Sequence, residues 1–205
     1  MGTDDLFKKA KLAKEKREIN KKRIVLDTIL ILCEGEKTEP NYFNGIRKDF
    51  HLSNIKVDGL GCNTFKIIEE GIKHRKDYSQ VWCVFDRDSF TAQCFNKAFQ
   101  MIKRYPNIHI AYSNESFELW YLLHFNYYDT AMSRKQYEKN LTELLGYKYR
   151  KNADNMYEIL KENQPKAIRN AKKLLKTYPI NNPEKNNPST TVFKLVEELN
   201  KFQTL

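Results

Sequence analysis

The run Thr28-Ile-Leu-Ile-Leu-Cys33 sets four consecutive aliphatic residues and a thiol in a row and then stops at Glu34-Gly35. A continuous apolar run of this length, closed by a turn, reads as a strand buried on both faces, which is the habit of parallel sheets. Parallel neighbours need crossover connections, so the rest of the chain has to supply helices. It does. Tyr42, Phe43, Ile46 and Phe50 recur at helical spacing, with Pro40 suited to a first turn. A weaker alternating strand, Ile55 to Leu60, follows, and then a helix marked by Phe65, Ile68 and Ile72. Val81-Trp-Cys-Val-Phe85 is a third buried strand ending at Asp86; Phe95, Ala98, Phe99 and Ile102 mark a helix, and Ile108 to Tyr112 a fourth strand. The order β-α-β-α-β-α-β predicts an α/β fold: an open parallel sheet of about four strands with helices on both faces.

From Ser116 the pattern is helical. Ser133-x-x-Gln136 is a capping box ahead of Tyr137, Leu141, Leu144 and Leu145, and Pro165 opens a helix carrying Ile168, Ala171, Leu174 and Leu175. Tyr178 to Ser189, with three prolines and four asparagines, reads as a loop, and Val192, Leu195, Val196 and Leu199 share one face of a last helix. The expected organisation is a basic arm over 1–23, an α/β core over 24–128, and a helical region over 129–205 packed on that core. A chain of 205 residues buries roughly 70% of its unfolded surface, enough for a core without staples. The four cysteines show no CxxC pair and no histidine at zinc spacing, so they are expected to be reduced structural thiols. The aliphatic runs are far below the ~18 residues of a spanning helix, and no apolar segment follows the basic N-terminus, so a cytoplasmic protein is expected.

The net charge of +10 is unevenly placed. Residues 1–23 hold nine Lys/Arg against four acids and residues 147–177 nine against three, whereas 24–146 hold fifteen against sixteen. Two basic segments around a neutral centre suit a polyanion, because clustered cations release counterions from a phosphate backbone; they also suit a solvated face that only aids solubility. Lys21, Lys22 and Arg23 in the arm, with Lys148, Arg150, Lys151, Arg169, Lys172 and Lys173 in the second segment, are the candidate nucleic-acid contacts. Tyr147, Tyr149 and Tyr157 lie among them, either to stack on bases or as half-buried packing.

Ligands of open α/β sheets bind beyond the carboxyl ends of the strands, where the strand order reverses. Two strands here end in acids at that edge: the first at Glu34, the third at Asp86 with Asp88 two residues on. With strand order 2-1-3-4 the two ends are neighbours. Converging carboxylates repel, and a hard divalent cation relieves the repulsion; Mg²⁺ takes a few carboxylates plus waters and phosphate oxygens. Asp88 or Ser89 can instead cap the following helix. Glu118 is the only acid in the apolar helix Phe117 to Phe125, where it calls for a metal, a cation or backbone donors. His124 reads as a packed histidine. Glu36, Lys37 and Glu39 fall in a loop that would rim the pocket, and Lys37 can hold a phosphate or pair with an acid.

The blocks Cys33-Glu-Gly-Glu-Lys-Thr-Glu-Pro-Asn-Tyr-Phe43, Val84-Phe-Asp-Arg-Asp88, Ser116-Phe-Glu-Leu-Trp120 and Asn187-Pro-Ser-Thr190 resemble the RloB-like family, related to the AbiLii abortive-infection proteins, from about Ile29 to Leu199. The resemblance implies a Toprim-like core, a metal-binding module shared with topoisomerases, primases and OLD-type nucleases. It implies an acid/base or metal role for Glu34 and a Mg²⁺ site (Mn²⁺ as substitute) of Glu34, Asp86, Asp88 and Glu118; Lys37, from its place in the rim loop, is the second catalytic candidate. One departure is visible: Ser113-Asn-Glu-Ser-Phe-Glu118 stands where the family pattern has Ser-Asn-Pro-Ser-Phe-Glu.

The function so implied is a Mg²⁺-dependent nuclease acting on RNA, tRNA among the candidates, or DNA, as effector of bacterial anti-phage defence. The family is typically encoded beside an AAA/ABC-like ATPase, the expected partner. The alternative is a silent nucleic-acid-binding or toxin subunit that acts only with that ATPase. A haloacid-dehalogenase-type phosphatase reading of Asp86-Arg-Asp88 fails on placement, since that motif belongs on a first strand. Assembly into a homo-oligomer is left open by the sequence.

Overall fold

The computed structural model describes residues 27–87, 91–179 and 182–204. The basic arm expected over 1–23 lies outside them.

The sheet has five strands in the order β2-β1-β3-β4-β5. In chain order the elements are β1 (Ile29–Cys33), α1 (Thr38–Asp49), β2 (Ile55–Gly59), α2 (Thr64–His74), β3 (Gln80–Asp86), α3 (Ala92–Ile102) and β4 (Ile108–Asn114). There follow α4 (Glu118–Phe125), α5 (Arg134–Leu145), α6 (Met156–Leu160), α7 (Gln164–Lys176), β5 (Ser189–Thr190) and α8 (Val192–Asn200). The first four strands are parallel in the expected order. The fifth pairs antiparallel with β4, adds a short edge strand to the about four expected, and takes Ser189 out of the loop to which the sequence assigns it. Its two polar residues carry no apolar alternation, so nothing local announces a strand. The partner decides it: Ser113 and Thr190 hydroxyls meet at 3.0 Å, and the Asn114 amide donates to the carbonyls of Pro183, Glu184 and Asn186.

Strand β1 is buried along its whole length and feeds two cores. Leu30 and Leu32 face α2 and α3, packing with Ile67, Ile68, Phe95 and Ala98. Ile29, Ile31 and Cys33 face the other side, where α1 and α4 to α8 build a larger core around Tyr42, Phe43, Trp120 and Tyr157. Helix α4 runs through that second layer with Glu118 to His124 all buried, which is why it shows no amphipathic stripe. The predicted capping box of Ser133 and Gln136 opens α5, and Gly146 closes it in the left-handed region (φ 74°). Cys33 and Cys83 are buried free thiols, and burial pushes the Cys83 thiol up to about 12. No helix among the described residues is long and apolar enough to cross a membrane.

Candidate functional site

The parallel pairing of β1 with β3 puts Cys33 opposite Val84, so both strands release their next residues at the same edge. The Glu34 N–H donates to the Val84 carbonyl at 2.9 Å, continuing the ladder one step beyond the strand. The Glu34 carboxylate then turns across to β3, where its Oε2 accepts the Asp86 N–H at 3.1 Å. The two predicted acids are thus brought together, at the point where β1 has β2 on one side and β3 on the other. Asp86 is 8% exposed, and the Arg134 guanidinium, on the first residue of α5, reaches its Oδ2 at 3.4 Å. Asp88 and Ser89 lie outside the described residues.

Beside this edge opens a cavity of about 670 Å³, lined by Glu34 to Glu39, by Gly61, Cys62 and Asn63 after β2, and by Arg134, Lys151 and Asn152 from the helical region. Lys37, exposed, stands at the start of α1 and faces this space as expected. Glu39 differs from its expected place in a rim loop. It lies in the first turn of α1, 5% exposed, with its carboxylate against the backbone of Gly35. A Cβ at position 35 would overlap Glu39 Oε2, so the glycine next to Glu34 is what admits this carboxylate. Burial, and then the charge of Glu118, raise the Glu39 carboxyl above its usual range; its own N–H, the Lys151 ammonium and the Gly35 N–H pull the other way.

Glu118, expected among the metal ligands, sits in this second acidic group: its Oε1 accepts the Tyr149 hydroxyl at 3.3 Å. His124 packs as expected. Its Nδ1 lies 2.8 Å from the Trp120 carbonyl and its Nε2 3.4 Å from the Tyr42 hydroxyl, and burial pushes its pKa down to about 4.

Of the second basic segment, Lys148, Arg150 and Lys151 lie on the turn between α5 and α6, and Lys151 reaches the cavity. Arg169, Lys172 and Lys173 lie on α7. Lys172 pairs with Glu197 at 2.6 Å and Lys173 sits 4.0 Å above the Tyr127 ring, so these two have local tasks. Lys21, Lys22 and Arg23 are outside the described residues. Tyr149 and Tyr157 are buried packing, whereas Tyr147 is 52% exposed. Sequence reasoning missed Arg134 and Asn152. Neither carries a local signal, since each reaches the site through contacts more than forty residues away in the chain.

Among the described residues no group of three or more His, Cys, Asp or Glu side chains that could hold a metal occurs. Two adjacent carboxylates still fit Mg²⁺, which binds through one or two carboxylates and keeps waters and phosphate oxygens for its other positions. A half-buried Glu34 at the wall of an open cavity leaves room for both.

A family model described as RloB-like protein matches residues 29–199. That span covers most of the chain, and the chain belongs to the RloB-like family. No curated protein and no solved structure matches it.

Proposed function

Starting from that membership, we propose that the protein is a Mg²⁺-dependent nuclease with a Toprim-type core, acting as an effector in bacterial anti-phage defence. The observation that carries the reading is the Glu34–Asp86 contact at the adjacent ends of β1 and β3, beside a cavity that also receives Lys37, Arg134 and Lys151. Glu34 and Asp86, with Asp88, would hold the metal. When bound, Mg²⁺ would polarise the scissile phosphate and offset its charge. Glu34 would accept or donate the proton at the reacting oxygen. Lys37, Arg134 and Lys151 would orient the phosphodiester from three different elements, which fixes its position without any one of them having to be rigid.

Glu118 fits a supporting role in this reading better than a ligand role, because its carboxylate is engaged by Tyr149 and lies beside Glu39. The AAA/ABC-like ATPase typical of the family is the proposed partner. The test is cleavage of a pool of tRNA, single-stranded DNA and plasmid with Mg²⁺, Mn²⁺ or EDTA, with Glu34→Gln and Asp86→Asn run alongside. Metal-dependent cutting by the wild type, lost in both variants, is expected. Binding without cutting by folded wild type would move the reading to a subunit active only with its ATPase.

A further inference from the structure

The turn between α5 and α6 encloses a second cavity of about 500 Å³, which shares Lys151 and Asn152 with the wall of the first. Its remaining wall includes Tyr147, Lys148 and Arg150. The turn is pinned at two points. Tyr149 is buried, its N–H donates to the Thr142 hydroxyl at 3.0 Å, and its hydroxyl reaches Glu118. Asn152, in the left-handed region at φ 71°, accepts the Thr38 hydroxyl on Oδ1 at 2.9 Å and the Asn41 amide on its carbonyl at 3.1 Å. Between and beside these anchors the chain turns Tyr147, Lys148 and Arg150 outward. Tyr147 is the one exposed large hydrophobic side chain among the described residues, and neither Lys148 nor Arg150 makes an ion pair among them.

An exposed aromatic beside two cations without ion pairs, on an anchored turn continuous with the cavity proposed to take a phosphodiester, has the composition of a stacking site for one nucleotide. Resting on the nuclease reading, we propose that this second cavity is a subsite for an unpaired nucleotide next to the scissile phosphate. Its base lies on Tyr147, and Lys148 and Arg150 take the flanking phosphates. A paired base keeps its faces inside the duplex stack and cannot use the tyrosine, so the site selects single-stranded or looped nucleic acid over duplex.

The experiment is fluorescence anisotropy of the full chain in EDTA, where nothing is cut. The probes are one labelled 12-mer as RNA and as DNA, its blunt duplex, and the same strand with abasic positions. Wild type is expected to prefer the single strand. Tyr147→Ala is expected to weaken that binding about tenfold, with Tyr147→Phe retaining it. The abasic strand should bind wild type as weakly as the normal strand binds Tyr147→Ala. Lys148→Ala with Arg150→Ala should flatten the slope of log K against log salt by about 1.4. Equal binding of the single strand by wild type and Tyr147→Ala, or a preference for duplex, overturns the subsite and leaves metal-dependent cleavage standing. Tyr147-dependent binding here, with no cutting by the same protein in the Mg²⁺ cleavage assay, leaves the subsite and moves the nuclease reading to a subunit active only with its ATPase. No binding of any probe overturns both.

Discussion

Two acidic pairs each send one member, Glu34 and Glu39, to the wall of the same cavity, and they are built in opposite ways. Glu34 and Asp86 stand at strand ends on the sheet edge, with Glu34 half-exposed and the Arg134 guanidinium above Asp86. Glu39 and Glu118 stand on helices α1 and α4, at 5% and 1% exposure, held by the Gly35 backbone, the Lys151 charge and the Tyr149 hydroxyl. Glu34 of the first pair faces the open cavity, where the nuclease reading puts a cation and a phosphate. The second pair is engaged by its own protein partners, and burial raises the Glu39 carboxyl. On the nuclease reading, the difference separates the acids proposed to do chemistry on a substrate from those proposed to shape its pocket.

If that separation is right, Glu34→Gln and Asp86→Asn should each remove about 10³-fold or more of the cleavage rate. Their urea midpoints should stay close to wild type, because both substitutions keep size and hydrogen bonding. Glu118→Ala should do the reverse. It strands the buried Tyr149 hydroxyl and opens a void, so it should cost about 2–3 kcal/mol in urea unfolding. Its activity loss should be recovered in Tyr149→Phe/Glu118→Leu if the pair is structural. A rate loss in Glu118→Gln as deep as in Glu34→Gln, without loss of stability, would falsify the division.

The layer around the second pair predicts an acid sensitivity of its own. His124 has its pKa depressed to about 4 by burial, against 6.5 when unfolded. Below pH 6.5 the unfolded chain therefore binds the proton that the native state refuses. Stability should fall with acidification, by about 2 kcal/mol between pH 6.5 and pH 5, and continue to fall toward pH 4. Urea titrations of wild type and His124→Gln across that range would separate this contribution from that of the carboxylates.

The smallest effect sharpens the link between the pairs. Gly35→Ala inserts a Cβ where Glu39 Oε2 lies, and that oxygen can swing away. The expected cost is about 1 kcal/mol in stability. The rate should fall as well, since the displaced carboxylate intrudes on the cavity next to Glu34; an unchanged rate would show that Glu39 has no bearing on the site.

The two basic groups repeat the lesson at the surface. Lys148, Arg150 and Lys151 look alike in sequence to Lys172 and Lys173, yet only the first group borders the two cavities. The second is drawn into a pair with Glu197 and onto the Tyr127 ring. Local composition reports how many cations a segment holds. Which of them are already engaged depends on neighbours the segment meets only after folding.

The sequence alone determined the elements whose signals are local. The apolar runs of β1 and β3 demanded a parallel sheet, their terminal acids Glu34 and Asp86 had to emerge at its carboxyl edge, and Ser133 with Gln136 had to open a helix. Each of these follows from a contiguous pattern of hydrophobicity, charge or capping. Tertiary structure alone decided that Arg134 reaches Asp86, that Glu39 is buried against Gly35, that Glu118 turns to Tyr149, and that Ser189-Thr190 becomes a strand by pairing with β4. Polar side chains choose partners by distance and desolvation, not by spacing along the chain. Those choices are made only when helices distant in sequence close over the sheet edge.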